Sequence, residues 1–169
     1  MFSFNYRKAD SGSQFVPLLY AHLINNGMIP FLDTMNMKPG QKLFEHINNA
    51  INSCKVGVAV LTDRYFDSYF CLHELALLNE SKKRVVPIFY DVKPSQLQVK
   101  NNARYPPQVL QRFSEALEET KYTVGLTFDS LNGDWTELQR KISDAVIMNL
   151  FEVEEEEERR RRTACNIQP

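Results

Sequence analysis

The chain has 169 residues, is 43% hydrophobic and 24% charged, and carries a formal net charge of -1. That length holds one domain with a sizeable core, and the balanced charge points to neither nucleic acid nor an anionic surface as a partner. No apolar run is long enough to span a bilayer, and the N-terminus lacks the charged start, apolar middle and small-residue cleavage site of a signal peptide. Cys54, Cys71 and Cys165 form no CxxC pair and are too few for a disulfide framework, which favours a reducing compartment, cytoplasmic or nuclear. His22, His46 and His73 do not cluster, so no metal site is expected.

Strand and helix signals alternate along the chain. Phe2 to Tyr6 reads as a first strand, followed by a polar loop from Arg7 to Gly12. Ser13 is placed to cap a helix that runs to about Asn26 and stops at Gly27. Pro17 lies near its start, and Phe15, Leu18, Leu19 and Leu23 form its apolar face. Met28 to Leu32 is a second strand, and the loop from Asp33 to Gly40 closes on Pro39-Gly40, a strong turn signal. The helix from about Gln41 to Ser53 carries Leu43, Phe44, Ile47, Ala50 and Ile51 at helical spacing.

Val56 to Thr62, apolar on both faces, is a third strand, and a helix from about Ser68 to Asn79 follows it. Arg84 to Tyr90 is a fourth strand in which Pro87 predicts a bulge or an edge. Val92 to Pro107 is irregular, and a helix from about Gln108 to Thr120 follows. Tyr122 to Thr127 is a fifth strand, and Asp134-Trp135 opens a last helix bearing Leu138, Ile142, Val146 and Leu150. Beyond about residue 150 the chain is a charge run. Glu154 to Glu158 precede Arg159 to Arg162, so each Glu from Glu155 onward has an Arg four residues on. In a helix such pairs contribute roughly 0.3–0.5 kcal/mol each. The segment 151–169 reads as a solvated helical extension of a domain over residues 1–150.

Repeated βα units imply an α/β three-layer sandwich: a five-stranded parallel sheet with helices on both faces, in the flavodoxin-like order 2-1-3-4-5. Ligands of such sheets bind beyond the carboxyl ends of the strands, at the switch between strands one and three. Arg7, the loop after strand two and the start of the third helix border that crevice. A phospho-receiver domain shares the architecture and finds a suitable Asp63, but the chain offers no Lys after strand five, where Thr127-Phe128-Asp129 stand. GxGxxG, GxxxxGK[ST] and GxSxG motifs are all missing.

The most informative stretch is Phe70-Cys71-Leu72-His73-Glu74-Leu75. It sets a lone carboxylate, Glu74, at the head of an apolar helix. An acid there is either a solvated first-turn charge or a group aimed into the cleft.

These residues carry a family resemblance. Met1 to Asp10 resembles the opening strand and loop of plant TIR (Toll/interleukin-1 receptor) domains, usually close to DVFLSFRGED. Phe31-Leu32-Asp33 and Met37-Lys38-Pro39-Gly40 resemble their second strand and BB loop. Tyr69 to Leu75 resembles their xWCLxEL segment, and Pro87 to Ser95 their PIFYDVxPS. Four motifs in order extend the likeness to about residue 150, and with no nucleotide-binding or leucine-rich repeat region after it the chain resembles a TIR-only protein.

The resemblance implies cleavage of NAD⁺ at the nicotinamide–ribose bond, giving ADP-ribose or cyclic or derived nucleotide signals in plant defence and cell death. It implies Glu74 as the catalytic carboxylate. NAD⁺ is then the substrate, and no separate cofactor is expected. One carboxylate suffices in principle, because nicotinamide leaves as a neutral molecule and the oxocarbenium-like ribose needs electrostatic support. By position, Arg7 and Lys8 are placed to meet the pyrophosphate. Lys38 and Lys42 flank the BB loop and are placed to do so across a neighbouring subunit. Asp33 lies in the crevice loop, and Tyr6 and Phe70 are candidates for ring stacking. Cys71 occupies a place implicated in some relatives in making cyclic nucleotides from nucleic acid, although its own composition reads as a small buried hydrophobe.

Three departures stand out. Lys8 replaces the usual Gly, Phe70 replaces the usual Trp, and Pro17-Leu18 stands where many plant TIR domains carry a self-associating Ser-His pair. Two functional classes therefore remain: an NAD⁺ glycohydrolase working as a homo-oligomer through TIR–TIR contacts, and a non-catalytic adaptor that recruits other TIR proteins.

Overall fold

The computed structural model describes residues 1–7, 10, 15–32, 39–100 and 102–166. Its strands are β1 (Phe2–Tyr6), β2 (Pro30–Leu32), β3 (Val56–Leu61), β4 (Arg84–Tyr90) and β5 (Leu126–Phe128). Its α-helices are α1 (Phe15–Asn25), α2 (Leu43–Ser53), α3 (Tyr69–Glu80), α4 (Pro107–Lys121) and α5 (Trp135–Cys165). All neighbouring strands pair in parallel in the order β2-β1-β3-β4-β5, as the alternation of the sequence anticipates.

The sheet is buried on both faces because its strands alternate between two apolar layers. Val56, Val58 and Val60 of β3 join Phe2, Phe4 and Ile88 against Leu19 and Leu23 of α1 and Ile142 and Val146 of α5. Ala59, Leu61 and Phe89 face the other way, onto Leu72 and Leu75 of α3 and Phe113 and Leu117 of α4. Ile47 and Ile51 of α2 pack on Leu78 and Cys54.

Several boundaries differ from the sequence reading. Gly27 does end the first helix, at φ +76°, and Met28 N–H donates back to the Leu23 carbonyl. The strand β2 is only Pro30–Leu32, and the Ile29 carbonyl before it accepts from Phe2 N–H at 3.4 Å. Ser13 lies outside the described residues. The expected fifth strand over Tyr122–Thr127 is displaced to Leu126–Phe128. Tyr122 and Thr123 instead extend the last turn of α4, donating to the Glu118 and Thr120 carbonyls, and Val124 is 95% exposed.

Pro87 is accommodated by an edge, not a bulge. Its pairing with Ala59 lies in an unbroken register from Val56↔Arg84 to Leu61↔Phe89, and β5 joins β4 only from Ile88 onward. A Cβ on Gly125 would come within 2.4 Å of the Pro87 carbonyl, so that flank of Pro87 faces the segment entering β5, one residue before the pairing of β5 with β4 begins. A strand residue's N–H and C=O point the same way, so the donor that proline lacks is one the ladder does not use.

The last helix is continuous from Trp135 to Cys165, capped at its start by the Asp134 carboxylate, which accepts from Thr136 and Glu137 N–H. Residue 150 lies within it. Its acidic run reaches back to the amino ends of two strands. Lys55 pairs with Glu154 at 3.4 Å and Glu157 at 3.2 Å, and Arg84 pairs with Glu152 and Glu156. Beyond that, Arg159, Arg161 and Arg162 pair with Glu155, Glu157 and Glu158 on the exposed surface. No helix among the described residues is long and apolar enough to cross a membrane.

Between α3 and α4, Arg112 grips Glu80 with contacts of 2.5 and 3.1 Å. His73 stacks on Tyr69 at 5.9 Å, and both its ring nitrogens are buried without a hydrogen-bond partner among the described residues. Burial lowers its pKa, the Arg112 cation lowers it further, and Glu80 opposes them.

Two outcomes follow from this packing. Gly125→Ala must push β5 off the Pro87 carbonyl, and urea unfolding should show a loss of about 1–3 kcal/mol. His73 favours its neutral form in the folded chain, so its contribution is present above the unfolded value of 6.5 and is lost as pH falls through the lower folded value. The thermal midpoint of wild type should therefore fall relative to that of His73→Phe on acidification from about pH 7 to about pH 5. A constant gap between them would contradict the sign.

Candidate active site at the carboxyl edge of the sheet

The chain leaves β1 and β3 side by side at their carboxyl ends, because the two strands pair from Phe2↔Val56 to Tyr6↔Val60. Arg7 then crosses to the turn after β3 and donates to the Arg64 carbonyl at 3.1 Å. Its guanidinium also lies 3.7 Å from the carboxylate of Asp10, which accepts a hydrogen bond from the Thr62 hydroxyl. Lys100 donates to the backbone and side chain of Asp63 at 2.8 and 3.1 Å. The turn from Thr62 to Ser68 is thus fastened from two directions before α3 begins.

Ser68 caps α3, its hydroxyl accepting from Cys71 N–H at 3.4 Å. Helical residues count from Tyr69, so Glu74 falls in the second turn and the first turn holds no acid. The reading of Glu74 as a solvated first-turn charge is therefore overturned. It is 9% exposed, among the few buried charged side chains described. Its negative charge is felt at the buried Tyr65 phenol and at the Cys71 thiol, raising the pKa of both beyond what burial alone does. Burial is the larger cause in each, and it pushes the Cys71 thiol up to about 12.

Phe70, one turn before Glu74 on the same side of the helix, is 43% exposed. Its ring lies 5.6 Å from that of Phe44, itself 44% exposed. The two form an open aromatic ledge at the junction of α2 and α3. Tyr6 is half-buried against the core at the end of β1. Lys42 is an exposed charge paired with Glu45 at 3.5 Å. Lys8, Asp33 and Lys38 lie outside the described residues.

The structure therefore brings Arg7, Cys71, Glu74 and Phe70 to one edge. It also places there residues the sequence reading assigned no role. Asn5 and Tyr65 are bonded to each other and to the Cys71 carbonyl. Asp10 and Thr62 join the first loop to the third. A polar Asn in a strand otherwise built for the core is the one signal that pointed to any of them. Tyr65 sits in a turn and carries no such signal.

Comparison with known proteins agrees with this arrangement. The family model described as TIR domain matches residues 1–164. A protein of Brachypodium distachyon named "Probable 2' cyclic ADP-D-ribose synthase BdTIR" is 46% identical over 154 residues, covering 89% of this chain and 69% of that protein. The TMV resistance protein N of Nicotiana glutinosa is 32% identical over 124 residues, 70% of this chain but only 10% of that protein's length. Among solved structures, the TIR domains of the activated Roq1 resistosome match with a TM-score of 0.71 at 24% identity, over 86% of this chain and 98% of that one. The RPS4 and RRS1 TIR domain heterodimer matches with a TM-score of 0.56 at 17% identity, over 89% and 98%. These two likenesses establish the shared fold. The family match over nearly the whole sequence, with the parallel sheet and its carboxyl-edge crevice, makes this chain a member of the TIR domain family.

Proposed function

We propose that the chain cleaves NAD⁺ at the nicotinamide–ribose bond, with Glu74 as the catalytic carboxylate, as part of plant immune and cell-death signalling. The observation that carries this reading is a buried carboxylate at the carboxyl edge of the sheet, inside the Phe70–Leu75 run. The name of the Brachypodium relative, a cyclic ADP-ribose synthase, supports it and favours a cyclic product.

The chemistry fits one acid. The C–N bond breaks with its electron pair passing to the pyridinium nitrogen, so nicotinamide departs neutral and needs no proton. The ribose carbon is left cationic, and a carboxylate in a water-poor setting stabilises that charge far better than one in bulk solvent. Water then adds and loses a proton to give ADP-ribose, or a hydroxyl of the substrate adds in its place and closes a ring. Neither route asks for a metal or a further cofactor. Arg7 spends two contacts on Asp10 and Arg64, and its remaining donors serve a pyrophosphate. The Phe70 ring offers its face to the departing pyridine. Lys8, Asp33 and Lys38 complete the set by position in the sequence. Cys71 is not a nucleophile in this reading, because burial holds its thiol protonated.

Assembly belongs to the same proposal. The similar Roq1 and RPS4–RRS1 structures contain several TIR domains, which supports a working homo-oligomer and contacts with other TIR proteins. A cytoplasmic or nuclear setting, where NAD⁺ is available, fits it. An adaptor without catalysis is the second reading, favoured by Pro17-Leu18 only insofar as it alters how copies associate.

Clustered wild-type protein should release nicotinamide from NAD⁺, and Glu74→Ala should reduce that rate at least about a hundredfold while circular dichroism stays unchanged. Full turnover in the variant would remove Glu74 from the mechanism. Wild-type protein that is folded, assembled and inert would favour the adaptor. Separately, iodoacetamide near neutral pH should label exposed Cys165 in the native chain and leave Cys54 and Cys71 unmodified until unfolding, as peptide mass spectrometry would read.

A further inference from the structure

Asn5 lies near the carboxyl end of β1, paired with Ala59 of the central strand β3, and is 1% exposed. Its amide nitrogen donates to the Tyr65 hydroxyl at 2.5 Å and to the Cys71 carbonyl at 3.0 Å. The Tyr65 hydroxyl, on a side chain with no exposure, donates to the same carbonyl at 3.1 Å. Two side chains from different elements thus converge on a single backbone oxygen in the first turn of α3, three residues before Glu74. The carbonyl has the N–H of Leu75 available within its own helix. Neither outside donor is needed to satisfy it.

The surroundings make this arrangement expensive. Ala59, Leu61, Phe66, Leu72 and Leu75 form an apolar cluster around Tyr65 and Cys71. Burying an amide and a phenol there costs free energy that their bonds only partly return, and the Asn5 side-chain oxygen finds no partner among the described residues. An apolar pair of the same shape would fill the space without that cost. What the polar pair adds is a fixed reference between the end of β1 and the axial position of α3.

We propose that Asn5 and Tyr65 are positioning residues for Glu74: by holding the Cys71 carbonyl they set the carboxylate at a fixed height against the crevice. This rests on the reading of Glu74 as the working carboxylate. The electrostatic coupling of Glu74 to the Tyr65 phenol is consistent with their closeness.

The test is the double variant Asn5→Leu/Tyr65→Phe. It removes both donors together and strands no polar atom, so it folds where a single truncation would leave an unpaired group. A misplacement of about 1 Å costs roughly a hundredfold in rate, so kcat should fall by about tenfold to a hundredfold with KM within about twofold. The thermal midpoint should stay level or rise. Unchanged kcat would overturn the proposal, as would a rate loss that tracks a fall in the midpoint. If wild-type protein does not turn over NAD⁺ at all, the reading of Glu74 fails by itself. The positional claim is then decided by carbon NMR of the labelled Glu74 carboxylate. A shifted or multiplied signal in the double variant supports it, and an unchanged signal and titration sink it.

Discussion

The parallel pairing of β1 with β3 is the constraint on which the carboxyl edge depends. The chain runs from β1 outward to β2, then returns across to β3 and continues to β4 on the other side. A crevice opens where that direction reverses, because the loops after β1 and β3 depart to opposite faces. Register does the rest. With Tyr6 beside Val60, the next residues on each strand leave the sheet within side-chain reach, and Arg7 can meet the Arg64 carbonyl while Asp10 meets Thr62. A slip of one residue would turn Asn5 away from α3 and send its core neighbours to the opposite face.

The two buried carboxylates among the described residues, Glu74 and Asp10, both lie at that edge. Glu74, Asn5, Asp10 and Thr62 are all buried within or beside apolar clusters. A buried carboxylate is costly to hold, and the same lack of water that makes it costly makes its field strong. The raised pKa values of Tyr65 and Cys71 are the local record of that field acting with burial. Both groups favour their neutral forms, which leaves Glu74, Arg7 and Asp10 as the charged side chains acting at the start of α3. This is the expected trade between stability and function at a working site.

The opposite edge of the sheet is held differently. Lys55 and Arg84 stand at the starts of β3 and β4 and are met by four carboxylates of α5. Each contact is partly exposed, and such pairs taken singly contribute little. Their shared geometry matters more, since one rigid helix presents all four acids in the order the two strands require. The acidic run is thus part of how the last helix lies along the domain. The arginines beyond it have their pairs on the helix's own surface.

Local pattern carried much of this architecture. Alternating strand and helix signals, the doubly apolar run of β3, the stop at Gly27 and the edge implied by Pro87 all survive in the folded chain, because each depends on residues near in sequence. The lone acid in the Phe70–Leu75 run was legible for the same reason. Where one local preference competes with another, or where side chains distant in sequence meet, pattern alone does not decide. Tyr122 and Val124 look like strand residues, yet the last turn of α4 claims Tyr122 and leaves β5 to start beyond Gly125. The bonds of Asn5 and Tyr65 to the Cys71 carbonyl span 66 and 6 residues, and no periodicity records them. Composition and spacing settled which elements form and in what order, since propensity and burial act residue by residue. Only the assembled sheet decided which side chains meet at its edge, since hydrogen bonds between distant groups exist once the strands have fixed their distance.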